Sequence, residues 1–476
     1  MFFTQNIPAV SLQPESTLTD GQLTCSWQDV IDIFEDLSIF LEKNKISITD
    51  CLALECENSL PSALTLLYLL EKGYSFLLLP QADQPAVIPS FCHYQMIPTR
   101  ENLGKIDDLT KFDGWLKITE NEEYQPIDHG GKKLYMRTSG STGNPKMVVH
   151  SHEQVLKNAL NCVERLTLSP NDRVAIPVPL YHMYGLGAAF LPSVAVGAAI
   201  DLQKGANLLR YLQREKDFNP NVAFMTPSFC KTLIKGRKSA RDYKLTVIAG
   251  DGIKEDTFTK YEQNFGCLVK LYGSTEMGAI AAGSPKDEKD LRCQTVGLPM
   301  SGVKIRIKPQ SVDAQEQGVG EIYCHHPYGF DGYVDTAGQP IIPEQTEPDG
   351  YIAMKDLGKL RAEGHLEVWG RCDRSVNRDG LLVLFSDIEK NMEKITGIET
   401  VVVESYGESQ RGKGLVAFCI LSKSANFDET DIKASCFNVL LKRAIPDQIL
   451  IIKTLPMLPN GKIDRQKLIS VLPKRS

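Results

Sequence analysis

A chain of 476 residues is longer than one hydrophobic core ordinarily supports, so it is expected to divide into two or more domains. Its 42% hydrophobic and 24% charged residues exclude a disordered or fibrous polypeptide, and a net charge of −6 without any Lys/Arg-dense stretch excludes nucleic acid as the expected partner. No apolar run reaches membrane-spanning length, the first residues lack a signal-peptide pattern, and the 12 cysteines form no CxxC pair or zinc-like cluster, so free thiols in a reducing cytoplasm are expected.

The first periodic segment runs from Trp27 to Leu41, with apolar residues at helical spacing. A strand CLALEC (51–56) follows, then a helix from about Pro61 to Lys72 with Ser59 as N-cap and Gly73 as its stop, then a strand from Ser75 to Leu79. Strand, helix and strand in so short a span predict a βαβ unit and a parallel sheet. Strand patterns recur at 172–178, 221–226, 244–250 and 267–273, alternating with helical stretches. The fold class is therefore α/β, with parallel or mixed sheets in a large N-terminal domain. From about Val303 to Trp369, short strands separated by Gly, Asp and Pro turns predict a β-rich subdomain. A last block carries a helix from Asp387 to Lys394, strands near 399–404 and 414–420, and a helix from Asp431 to Ala444, an α+β arrangement.

The segment YMRTSGSTGNPKMVV (135–149) concentrates chemistry. Thr138, Ser139, Ser141 and Thr142 crowd hydroxyls around Gly140 and Gly143, with Lys146 closing the run. Glycines let backbone N–H groups turn inward, hydroxyls add donors, and lysine adds a point charge, which together suit a polyphosphate. The absence of GK[ST] separates it from the Walker loop. Four further segments follow in order: LYGSTEMGAI (271–280), TEPDGYIAMKDLGKL (346–360), WGRCDRSVNRDG (369–380) and LPMLPNGKIDRQKL (455–468).

In content, order and spacing these five segments resemble the adenylate-forming superfamily of acyl-CoA synthetases, peptide-synthetase adenylation domains and luciferases. The resemblance implies ATP and Mg²⁺, and a large domain (1–372) joined at a hinge, Asp373, to a small mobile domain (373–476). It implies that residues 138–143 and Lys146 hold phosphate, Tyr272 packs on adenine, Thr275 contacts phosphate, and Glu276 holds Mg²⁺. Asp356 is implied to grip the ribose hydroxyls and Arg371 to contact ribose or phosphate, although MKD replaces the usual TGD and Asn377, Arg378 and Asp379 depart from the usual hinge pattern. Lys462 is implied to approach the substrate carboxylate and α-phosphate as charge develops there.

PLYHMYGLGAAF (179–190) resembles the family segment that gates the acyl channel, with His182 as the gate. Where amino-acid-activating relatives carry an aspartate, this chain has Met183, so a buried substrate ammonium would lack its usual partner. The other aligned positions are Tyr184, Phe224, Val247, Ala249, Gly250, Leu271, Ala279 and Ile280, a set apolar apart from the tyrosine hydroxyl that suits an aryl or aliphatic acid. Asp251 is the nearest candidate anion. The expected activity is ATP-dependent acid–thiol ligation through an acyl-AMP, delivered to the phosphopantetheine thiol of a carrier protein or of CoA. Amino-acid activation through a different ammonium site, a luciferase-like oxygenase and a catalytically silent scaffold remain open.

Overall fold

The computed structural model describes residues 17–82, 86–98, 115–138, 146–205, 207–309, 312–342, 346–378, 381–409, 412–422, 425, 427–457, 463–470 and 472. It is a mixed α/β structure whose chain separates into two compact units: residues 1–305, 324–352 and 361–367, and residues 306–323, 353–360 and 368–476.

The first unit is built on two sheets. The larger has nine strands in the order Leu298–Pro299, Gly278–Ala282, Gly266–Ser274, Tyr243–Ile248, Val222–Met225, Arg173–Ile176, Ala199–Leu202, Thr17–Thr19 and Thr24–Ser26. From Gly266–Ser274 through Thr17–Thr19 the neighbours are parallel, so the ends of four predicted strands lie along one edge. The second sheet runs Pro340–Ile341, Gly332–Val334, Met147–Ser151, Lys133–Arg137, Ser75–Pro80, Cys51–Cys56, Tyr94–Pro98 and Leu116–Glu120. Strands Cys51–Cys56 and Ser75–Pro80 pair in parallel around the expected βαβ unit.

Local chemistry explains the helices. Helix Trp27–Lys43 starts with a capping box in which Ser26 and Asp29 satisfy each other's backbone N–H, and its apolar stripe is buried. Helix Leu60–Lys72 is N-capped by Ser59 and stopped by Gly73 at φ +84°, a left-handed conformation that glycine adopts without steric cost. Every residue of that helix except Lys72 is buried, as its nearly continuous apolar sequence requires. Just before it, the buried Asn58 side-chain nitrogen lies 2.9 Å from the carbonyls of Ile176 and Val178, and its oxygen accepts the Leu180 N–H at 3.0 Å. This amide therefore fixes the entry to the segment 179–190.

The second unit contains a five-stranded sheet of Leu381–Leu384, Ser375–Arg378, Gly412–Leu421 and Ile398–Ser409, with Gln448–Ile451 pairing on Gly412–Leu421. Helices Phe385–Met392 and Glu429–Val439 contribute Phe385, Ile388, Met392, Ile432 and Cys436 to its core. Arg378 is fully buried and reaches both carboxylate oxygens of Asp447 at 2.9 and 3.0 Å. One of the three residues that depart from the expected hinge pattern thus lies in the interior of this unit.

Among the described residues no helix is long and apolar enough to cross a membrane, and no group of His, Cys, Asp or Glu could by itself hold a metal. All 12 cysteines are free. The closest pairing in sequence, Cys51 with Cys56, is not the one the fold makes: Cys51 Sγ lies 3.9 Å from Cys92 Sγ, because strands Cys51–Cys56 and Tyr94–Pro98 are neighbours.

Candidate active site

Strand Gly266–Ser274 leaves the parallel sheet and doubles back antiparallel as Gly278–Ala282, so Thr275 and Glu276 stand in the connecting turn. The turn is tight. A Cβ on Gly273 would lie 2.1 Å from the Gly278 carbonyl oxygen, and Gly278 itself has φ +63°. Tyr272 pairs across the hairpin with Ala281 and is partly exposed.

Three polar side chains, Asn158 and His150 buried and His326 partly so, hold this turn from behind. Asn158, in helix His152–Leu166, donates to Met277 O at 2.8 Å and accepts the Ala279 N–H at 3.0 Å. His150 Nε2 donates to Thr275 O at 2.8 Å, and burial lowers its pKa. His326 Nε2 donates to Ala279 O at 3.0 Å while Nδ1 accepts the Tyr328 N–H at 2.9 Å, an arrangement that requires the neutral ring. Burial accordingly lowers the His326 pKa to about 4. An Asn inside a helix, on the face carrying buried Val155, Ala159 and Cys162, is a poor helix former that asks for a partner. That signal was available in the sequence.

Phosphate-loop residues Ser139, Gly140, Ser141, Thr142 and Gly143 lie outside the described residues. Their flanks are described. The Thr138 N–H donates to Lys146 O at 3.1 Å, continuing the antiparallel pairing of Lys133–Arg137 with Met147–Ser151. Lys146 Nζ sits over the ring of Tyr333, 5.7 Å from its centroid, and the Tyr333 hydroxyl donates to Glu276 Oε1 at 2.9 Å. Tyr333 thus touches both the expected phosphate lysine and the expected metal carboxylate. It lies in a segment whose sequence suggests only strands and turns.

In the segment expected to gate the acyl channel, Tyr184–Phe190 forms a π-helix, a rare turn that is frequent at functional sites. Gly185 permits it, since a Cβ there would lie 2.0 Å from Pro179 O. The Tyr184 hydroxyl donates to Val247 O at 2.7 Å and lies 3.0 Å from Met225 O, and burial raises its pKa, so it remains a neutral donor. Phe224 and Val247 face each other on adjacent strands; together with Met183, Ala249, Leu271, Ala279 and Ile280 they are buried. His182 is exposed, with its ring 4.5 Å from Tyr181. Gly250 has φ +92°, and the Asp251 beyond it is exposed and accepts the Gly252 N–H at 2.8 Å.

In the second unit, Arg371 Nη1 lies 3.8 Å from Asp356 Oδ1 and its Nε lies 3.6 Å from Asp373 Oδ1. Asp373 is exposed in a short 3₁₀ turn, Cys372–Arg374. Burial, followed by the nearby Glu321 and Asp356 carboxylates, pushes the Cys372 thiol up to about 12, leaving it a poor nucleophile. Lys462 lies outside the described residues, between Met457 and Ile463, which form an antiparallel bridge.

The donor set fits magnesium better than a protein-caged metal. One carboxylate, Glu276, near the Lys146 ammonium is an arrangement in which Mg²⁺ would take its remaining ligands from phosphate oxygens and water.

Residues 101–334 match the AMP-binding enzyme family. The chain is 24% identical to sulfoacetate–CoA ligase of Cupriavidus necator over 71% of its own length and 66% of that protein's. It is 24% identical to 2-succinylbenzoate–CoA ligase of Enterococcus faecalis, over 74% and 72% of the two lengths. Its fold superposes on o-succinylbenzoate CoA synthetase of Bacillus subtilis, solved with its acyl-adenylate intermediate, with a TM-score of 0.78 over 100% of this chain and 98% of that one at 18% identity. Over residues 101–334 the chain thus resembles the AMP-binding enzymes, and its relatives support an AMP-forming ligase.

Proposed function

We propose that the protein activates an aryl or aliphatic carboxylic acid with ATP and passes the acyl group to a thiol. The carboxylate oxygen attacks the α-phosphorus, the bond to the pyrophosphate oxygen breaks, and acyl-AMP forms. A thiol sulfur then attacks the acyl carbon, AMP leaves with the anhydride oxygen, and the thiol proton passes to solvent. The work required of the protein is positioning and charge neutralisation. Mg²⁺ held by Glu276 would supply positive charge to the phosphate oxygens. Thr138, Lys146 and Thr275 would contact the phosphates, Tyr272 the adenine, and Asp356 and Arg371 the ribose.

The observation that carries this reading is the meeting of Lys146 and Glu276, from two separate motifs, on one side chain, Tyr333. The apolar acid is supported by Met183 where an aspartate would be needed, and by a Tyr184 hydroxyl already committed to backbone carbonyls. Exposed Asp251 offers a buried ammonium no enclosed partner. CoA is the favoured acceptor because both sequence relatives are named CoA ligases. In this reading residues 1–372 form the large domain, Asp373 is the pivot, and the small domain carries Lys462.

ATP–pyrophosphate exchange over a panel of aryl acids, fatty acids and amino acids tests the proposal. Exchange selective for an aryl or fatty acid, followed by thioester formation on CoA, is expected. Exchange confined to amino acids would overturn the substrate class, and thioester only on a carrier protein would overturn the acceptor.

A further inference from the structure

A carboxylate and an ammonium on neighbouring elements attract, and a direct ion pair would leave each less able to engage a bound metal or phosphate. Glu276 and Lys146 are not joined that way. Each instead meets a different part of Tyr333: Glu276 Oε1 accepts its hydroxyl at 2.9 Å, and Lys146 Nζ lies over its ring at 5.7 Å. A phenol suits both neighbours, since its O–H donates to an anion while its π face attracts a cation.

The ring is firmly held. Tyr333 belongs to strand Gly332–Val334, which pairs antiparallel with Met147–Val149 and sets Tyr333 opposite Val148, two residues beyond Lys146. The Phe330 ring meets it edge-on at 4.9 Å, and the Phe330 N–H donates to the Glu276 carbonyl at 2.8 Å. Backbone and side chain of Glu276 are therefore both tied to the segment 330–333. Burial, with the Glu276 charge adding to it, raises the Tyr333 pKa and keeps the hydroxyl protonated at neutral pH.

We propose that Tyr333 is a positioning residue that holds the Glu276 carboxylate for metal-bound ATP while keeping the Lys146 ammonium separate and available to phosphate. This rests on the phosphate-site reading of Glu276 and Lys146 given above. The prediction concerns how the hydroxyl acts: through Glu276, and only when a metal is present.

Calorimetric binding of ATP, with and without Mg²⁺ and without any acid substrate, tests it in wild type, Tyr333→Phe, Glu276→Gln and the double variant. Tyr333→Phe is expected to weaken Mg²⁺–ATP binding about tenfold, the scale of a hydrogen bond to a charged group, while metal-free ATP binding changes less than about twofold. On the Glu276→Gln background it should produce no further loss. Equal loss with and without metal, no loss at all, or additive loss in the double variant would each overturn the proposal. Tyr333→Leu, which removes the ring face as well, should also weaken metal-free ATP; unchanged metal-free binding would remove Lys146 from the account. Wild type that binds Mg²⁺–ATP but exchanges with no acid would overturn the ligase reading alone, and a wild type unable to bind it would overturn the phosphate site and Tyr333's role together.

Discussion

Lys355 holds φ +58°, one residue before Asp356, where the family pattern has glycine. The chain keeps the left-handed turn with a residue that pays for its Cβ there, at a cost of about 1–2 kcal/mol. Being exposed, Lys355 has no packing to lose. Lys355→Gly is therefore expected to leave the ATP KM within about twofold and stability unchanged or raised by up to about 1 kcal/mol, as measured by urea unfolding. A clear loss of stability would show that the lysine side chain, and not the backbone, matters at this position. Met183 poses the opposite question. It is buried beside Gly187, where a Cβ would lie 2.8 Å from its sulfur, so Met183→Asp would put an unpaired carboxylate among apolar groups. Exchange with neutral acids should fall at least about tenfold, the scale of an unpaired buried polar group. Unchanged turnover would mean that residue 183 does not line the acid site.

At the scale of elements, the hairpin turn bearing Thr275 and Glu276 depends on helix His152–Leu166. Asn158 satisfies the Met277 carbonyl and the Ala279 N–H together, and Gly278 is the only residue type that fits against its amide: a Cβ there would lie 2.3 Å from Nδ2. Asn158→Ala leaves a buried donor and a buried acceptor unpaired. The expected cost is about 1–3 kcal/mol in urea unfolding. Because the turn also aims Glu276, a higher Mg²⁺ requirement in pyrophosphate exchange should accompany that cost. Loss of stability with an unchanged Mg²⁺ requirement would separate the clamp from the site. The sequence exposed the elements here but not their partnership. The YGSTE string and the strand before it are local patterns, whereas the contact between residue 158 and residues 277–279 exists only after the sheet closes.

At the scale of the molecule, pH bears on the whole first unit. Burial lowers the pKa of His152 and His326 to about 4 each, and lowers His150 as well, all from 6.5. As pH falls below 6.5 the unfolded chain takes up protons that the folded rings refuse, so stability present above that pH is lost as pH falls towards 4. The urea midpoint should be lower at pH 5 than at pH 7, the unfolding free energy falling by roughly 1–2 kcal/mol for each of His152 and His326. His326→Gln, which keeps a donor and an acceptor without a titrating ring, should flatten that dependence by one histidine's share; an unaltered slope would mean that carboxylates dominate it. The two half-reactions give the second test at this scale. If Lys462 serves only the first, Lys462→Ala should abolish adenylate formation while sparing thiolysis of supplied acyl-AMP, and equal damage to both steps would refute its assigned role.

Two kinds of information built this protein. Periodicity, capping residues and turn glycines are local, so the sequence alone determined the strand at 51–56, the helix ending before Gly73, the α/β class and the two motifs, 135–149 and 271–280, that fall within the AMP-binding enzyme match. Their physical content lies within a few residues of each position. Partnership across the fold is not local. The tertiary structure alone decided that strand Gly332–Val334 leaves the β-rich stretch to pair with Met147–Val149, that Asn158 rather than a neighbour holds the hairpin, and that Arg378 is spent on Asp447 in the core. Those choices follow from burying apolar faces against distant strands and satisfying each buried polar group, a condition set by the whole chain and by no single segment of it.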